Sequence, residues 1–251
     1  MTRRVDVNTF IGEYPFRRVP GATPRDLLTA MDRVEIDIAW VSQLTAIFWN
    51  DPMAANADLY RMDSLRLRPV PAIHPGRDRW REALADAPSH DAPAVRADPT
   101  RWGLDPAGRD MTELTRACGA AGTPLLVSVR LEDGRQKNPR DRSSEIEPWM
   151  VRSWIRSDPA VRLIVTHADR EFIEQVHFGA TPDEAGRIRW DISWIWGPPE
   201  DHLALLLKTV GVERFVFGTG MPLRIPENSL AKLDLLDISP DDRSKIEALN
   251  S

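Results

Sequence analysis

Three polar side chains carry the chemistry that this sequence could do. His167 closes the apolar run Leu163-Ile164-Val165-Thr166, Asp191 falls in the tryptophan-rich stretch from Ile188 to Ile195, and Asn8 follows Asp6 in the first apolar run. A histidine titrates near neutrality, so His167 could serve as a general base or acid. Asp191 or Asp169 could orient it, and the Asn8 amide could donate to a substrate carbonyl or a developing oxyanion. The structural alternative is the same for each: a buried polar group must find partners, and these could simply bond to one another.

A second set could hold a ligand. Arg130, in Arg130-Leu131-Glu132-Asp133-Gly134-Arg135, could clamp a carboxylate with its two-pronged guanidinium, unless Asp98 or Asp133 takes it as an internal ion pair. His74 stands before Pro75-Gly76, where it could face a site or anchor the turn. Arg96 and Asp98 are weaker candidates of the same kind. Nine of the 18 aromatic residues are tryptophan. Ligand pockets are mostly apolar with a few placed polar groups. Phe10, Trp49, Trp194 and Trp196 could supply such a lining, while Trp40, Trp80, Trp149 and Trp154 read as packing residues. Cys118, beside Ala117 and Gly119, reads as packing too.

These residues need a frame. Short apolar runs alternate with amphipathic stretches along the chain. Strands are predicted at Val5–Phe10, Ile38–Leu44, Pro69–Ile73, Ala94–Ala97, Leu125–Leu131, Arg162–Thr166, Ile188–Ile195 and Arg214–Phe217. Helical spacing is predicted at Pro24–Arg33, Ala54–Met62, Asp78–Ala87, Thr112–Ala121, Glu145–Ser157, Arg170–Phe178 and Glu200–Val210, with further helices closing the chain. Strand–helix alternation in 251 residues fits one α/β domain over residues 1–251, a (β/α)8 TIM barrel. An open doubly wound sheet is the competitor, but no Gly-x-Gly-x-x-Gly follows the first strand. In a barrel, functional side chains lie at the C-terminal strand ends. Asp6, Asn8 and Phe10 would then share one face of the first strand, and Trp49, Asn50 and Asp51 the loop after the second.

Several of these residues carry a resemblance. Asp6-Val7-Asn8-Thr9-Phe10-Ile11-Gly12 resembles the first-strand signature Asp-x-His-x-His-x-Gly of the amidohydrolase superfamily, in its amidohydrolase-related branch. Phe217-Gly218-Thr219-Gly220-Met221-Pro222 is similar to its last-strand signature, Phe-Gly-Ser/Thr-Asp-x-Pro. Leu163 to His167 resembles the histidine-ended strand between them. The stretch from Ser239 to Asn250 is similar to the closing helix, which leads to an asparagine. The resemblance implies a barrel whose metal is held by the two first-strand histidines, a later histidine and the last-strand aspartate. Here those positions are Asn8, Phe10, His167 and Gly220. Catalytic zinc needs about three His, Asp, Glu or Cys ligands. Neither a catalytic metal in the family's position nor any other cofactor is therefore expected, a new site from His74, His167 and Asp191 being the alternative, and Gly220 would leave space where an aspartate stood.

The resemblance implies hydrolysis of an ester, lactone or amide, here without a metal, and the aromatic side chains at the barrel mouth suggest a small, aromatic or cyclic substrate. His167, Asp191 and Asn8 would be the catalytic set, and Phe10, Trp49, His74, Arg130, Trp194 and Trp196 would bind substrate. A catalytically inactive relative, binding a small molecule or pairing with an active homologue, is the alternative. A decarboxylase or cyclase is a second. Lys+Arg 33 against Asp+Glu 38 gives a net charge of −5, which offers no footprint for nucleic acid or an anionic membrane. One cysteine excludes a disulfide framework. With no signal-like or membrane-length apolar run, a cytoplasmic homo-oligomer, a homodimer in the family's manner, is expected.

Overall fold

Eight parallel strands alternate with helices in the computed structural model, which describes residues 3–49 and 51–250. The strands are β1 (Val5–Ile11), β2 (Ile38–Gln43), β3 (Leu67–Pro69), β4 (Val95–Ala97), β5 (Leu125–Ser128), β6 (Leu163–Thr166), β7 (Ile188–Asp191) and β8 (Phe215–Val216). β1 to β3 form one ladder and β4 to β8 another. Two seams join them. Ala72 bridges Arg96 in parallel, with Ile73 N donating to Arg96 O at 2.9 Å. On the other side Val7 N donates to Phe217 O at 3.0 Å, and Gly220 N to Asn8 O at 2.8 Å. The closed sheet is a (β/α)8 TIM barrel.

The helices are α1 (Pro24–Arg33), α2 (Asn56–Tyr60), α3 (Trp80–Asp86), α4 (Arg109–Ala121), α5 (Pro148–Ser157), α6 (Arg170–His177), α7 (Pro182–Gly186), α8 (His202–Thr209), α9 (Glu227–Leu235) and α10 (Pro240–Ser244). None is long and apolar enough to cross a membrane among the described residues. Local chemistry starts several of them. Thr23 caps α1 by accepting from Asp26 N, with Pro24 as its first residue. Asp169 caps α6 by accepting from Phe172 N at 3.0 Å. At the C-terminal end, Asn250 Nδ2 donates to Val212 O at 3.0 Å and Phe215 O at 2.8 Å, pinning the start of β8.

The strands bury both faces. Leu125, Val127, Leu163 and Val165 pack outward under the helices, whereas Leu126, Ile164, Val7 and Val216 meet inside the barrel. This two-sided burial is why the strands read as continuous apolar runs.

Several predicted boundaries shift for physical reasons. β3 ends at Pro69 rather than running to Ile73: Pro69 and Pro71 have no N–H to donate, so beyond it the ladder continues only through Val70 N to Val41 O at 2.7 Å and the Ala72–Arg96 bridge. β7 stops at Asp191 because the chain turns, with Ile195 N bonding Ile192 O. β1 shifts register against β2 between Asp6 and Thr9. Asp6, Asn8 and Phe10 therefore do not form one simple face, and Val7 joins the interior cluster. Helix α7 was not anticipated, although Thr181 and Glu184 form a capping box. Trp149 is not a packing residue: it is 43% exposed, with its indole N–H on Glu147.

Candidate functional site

Asn8 is the hub of the barrel's centre. Its Nδ2 donates to Asp191 Oδ2 and to His167 Nε2, both at 2.9 Å. Its Oδ1 accepts from the Arg96 guanidinium at 3.1 Å. The sequence-predicted set of Asn8, His167 and Asp191 is thus drawn together, with Arg96 as a fourth member.

The donor and acceptor roles close without remainder around the imidazole. His167 Nδ1 lies 2.7 Å from the Arg130 carbonyl, which can only accept, so Nδ1 carries the proton. Nε2 is then the acceptor that Asn8 requires. Burial, reinforced by Arg224, holds the imidazole well below its ordinary pKa, so it is neutral at pH 7. His167 itself sits in the left-handed region at φ 57°, a costly place for a non-glycine residue. Its backbone N–H donates to Asp191 Oδ1 at 2.8 Å, and Ser193 Oγ donates to Asp191 Oδ2 at 2.6 Å. Burial raises the Asp191 carboxyl above its usual range, and these hydrogen bonds oppose the rise.

Arg96 spans the barrel. It donates to Ser42 Oγ at 2.8 Å, to Ser128 Oγ at 2.6 Å and to Asn8, and its guanidinium lies 4.7 Å from the Phe10 ring centroid. Burial lowers its pKa to about 10, so it remains a cation at neutral pH. Asp98 supplies opposite charge nearby, but neither of its buried carboxylate oxygens has a hydrogen-bond partner. Asp6 closes the β1–β8 seam by accepting from Thr219 N and Thr219 Oγ1. Burial pushes its carboxyl up to about 7.

The other sequence candidates are placed differently. Phe10 is fully buried as a plug under Arg96, with no surface for a substrate. Arg130 is already clamped by Glu145 at 2.9 Å and Asp169 at 2.6 Å, so its guanidinium is not free for a ligand, and these partners are not the expected Asp98 or Asp133. Asp169 faces Arg130 and α6 rather than orienting His167. His74 anchors its turn, accepting from Gly76 N at 3.1 Å and stacking on Trp102. Trp194 covers His167, with ring centroids 5.7 Å apart. Trp196 and Trp49 are exposed, and Asn50 lies outside the described residues. Arg224, not anticipated, places its guanidinium carbon over Trp194, 3.6 Å from the ring centroid. Its only sequence signal is its place two residues after Pro222.

A metal does not fit this centre. Among the described residues no three His, Cys, Asp or Glu side chains gather to hold one. A guanidinium cation already stands on the Asn8 amide, and Phe10 fills the second histidine position. Gly220 does not leave open space: a Cβ there would meet His167 Nε2 at 2.8 Å and Arg224 Cδ at 3.2 Å.

Comparison with known proteins agrees with the barrel. A family described as Amidohydrolase matches residues 4–251. A Staphylococcus aureus structure provisionally named as an amidohydrolase superposes with a TM-score of 0.75 at 10% identity, covering 99% of this chain and 98% of that one. The 2,6-dihydroxybenzoate decarboxylase from Rhizobium gives 0.72 at 13% identity, covering 100% and 97%. The 5-carboxyvanillate decarboxylase from Sphingomonas paucimobilis gives 0.69 at 12%, covering 100% and 98%. No curated protein matches the sequence.

Proposed function

The chain belongs to the amidohydrolase family, and from that premise we propose that it is a metal-free, catalytically silent member that binds a small organic molecule at the mouth of its barrel. One observation carries this reading: the Asn8 amide spends both N–H groups and its oxygen on His167, Asp191 and Arg96. An oxyanion hole needs donors aimed at empty space, and a general base needs a lone pair that a substrate can reach. Here each is consumed by a neighbour. Asn8, His167 and Asp191 are 0% exposed and Arg96 is 1% exposed, so none of them presents a surface to water or substrate.

Arg96 takes the electrostatic place that the family gives to a metal. Its cation faces the buried carboxyls of Asp98 and Asp191, and its planar fork ties β2, β4, β5 and β1 across the barrel through Ser42, Ser128 and Asn8. The centre holds the barrel together instead of performing a reaction.

A second reading has one observation in its favour. His167 is neutral with Nε2 unprotonated, the state a metal-independent hydrolase or decarboxylase would use. That reading requires Trp194 and Arg224 to swing away and Asn8 to release the ring.

Turnover decides between the two, and metal analysis tests the metal-free premise that they share. Protein grown with added zinc and manganese is expected to carry far less than one metal per chain. A panel of aryl esters, lactones and aryl carboxylates is expected to be left unchanged. Hydrolysis or decarboxylation that disappears in His167→Gln would overturn the silent reading.

A further inference from the structure

We propose that the cavity between the β7 and β8 loops and α9 is an oxyanion site, built to hold the carboxylate or phosphate of a small flat organic molecule between Arg224 and Lys232. The inference rests on the small-molecule reading above and supplies its ligand class. The cavity encloses about 330 Å³, a size suited to a compact organic acid. It lies beside the strand ends rather than over His167, and is lined by Ser193, Trp194, Trp196, Arg224, Asn228 and Lys232.

Charge is the first argument. Lys232 is 7% exposed and donates to the Ile192 carbonyl at 3.0 Å and the Ser193 carbonyl at 2.9 Å, which among the described residues leaves one ammonium N–H uncommitted and no carboxylate in an ion pair with it. Arg224 is half-buried, and among the described residues its Nε has no hydrogen-bond partner. Asp133 is the one carboxylate on the cavity wall, and Arg135 already holds it through both oxygens. Two cations thus face a cavity whose one lining carboxylate is held by Arg135, while the buried Asp191 attracts both through space with no hydrogen bond to either. Buried charge with no hydrogen-bonded counterion is costly, so a ligand oxyanion bonded to both groups would stabilise the pair.

Shape is the second argument. The Arg224 guanidinium carbon sits 3.6 Å from the Trp194 ring centroid, a contact that restrains the side chain before a ligand arrives. Trp196, 54% exposed on the same wall, offers a face for a flat organic body. An oxyanion accepting from Arg224 and from the spare Lys232 proton would make charge-assisted hydrogen bonds.

Calorimetric titration of the full chain tests this with four probes: benzoate, phenyl phosphate, inorganic phosphate and the uncharged benzamide. Benzoate or phenyl phosphate is expected to bind one per chain, at least about tenfold tighter than benzamide. Arg224→Gln should weaken the tighter probe by about tenfold or more. Trp196→Ala, an exposed change, should weaken the aromatic probes and leave inorganic phosphate unaltered. The stronger of benzoate and phenyl phosphate identifies the oxyanion. Benzamide binding as tightly as benzoate overturns the proposal, and so does anion binding that Arg224→Gln leaves intact. Failure of every anion to bind, with metal content and turnover still nil, sinks this site but not the silent barrel. Turnover that requires His167 sinks the silent barrel but not the site.

Discussion

Gly220 approaches His167 so closely that a Cβ on it would stand 2.8 Å from the imidazole Nε2. At φ 73° the residue is also in the left-handed region, where glycine alone is unstrained. Gly220→Ala should therefore cost about 1–3 kcal/mol, from crowding and backbone strain together. Urea unfolding measures it, and an unchanged midpoint would show that the ring has room to move. For the same reason the double change Asn8→His with Gly220→Asp should not create a zinc site. Zinc titration of that variant, if it folds, is expected to give no stoichiometric binding.

Arg96→Met should be among the most destabilising single changes. It strips donors from Ser42, Ser128 and the Asn8 oxygen and removes the cation that acts most strongly on the buried Asp98 carboxyl. Breaking a buried charged network typically costs about 3–5 kcal/mol. Arg96→Lys should recover only part, since a single ammonium cannot reach three acceptors arranged around a planar fork. A wild-type denaturation midpoint for Arg96→Met would refute the role assigned to Arg96.

Stability should fall on the acid side because of His167. Its pKa is depressed in the folded state, so its contribution is complete above the unfolded value of about 6.5 and is lost as pH falls below it. Structurally, a proton on Nε2 would face the Asn8 N–H, donor against donor. Denaturation at about pH 7.5 and about pH 5.5 should show a smaller acid penalty in His167→Gln than in the wild type. Equal penalties would mean that another group controls the acid limb.

Asp6 acts in the opposite direction. Its folded pKa of about 7 lies above the unfolded value of 3.8, so the favourable contribution present below about pH 4 is lost as pH rises toward 7. Asp6→Asn removes this ionisation while keeping an oxygen that can accept from Thr219. Relative to wild type, the variant should gain on the order of a few kcal/mol between about pH 4 and about pH 8. A pH-independent difference would count against a buried, ionising Asp6.

Much of the barrel was readable because its strands are buried on both faces, and Leu125-Leu126-Val127 or Leu163-Ile164-Val165 leave no other assignment. The meeting of Asn8, His167 and Asp191 was readable as well, since strand ends converge in this fold. Arg96 and Arg224 were harder. Arginine is plentiful in the chain, and neither residue's neighbours in sequence reveal a serine two strands away or a tryptophan on another loop. Arg130 shows the converse: its clamp is real, but the carboxylates it grips are Glu145 and Asp169 of the protein itself.

The guanidinium in the barrel's axis has one more consequence. A metal ion is borrowed from the surroundings and can be withheld by starvation, stolen by a chelator or replaced by the wrong element. Arg96 is synthesised with the chain and cannot be exchanged. The network that joins β1, β2, β4 and β5 is thus closed by a group that the chain itself carries.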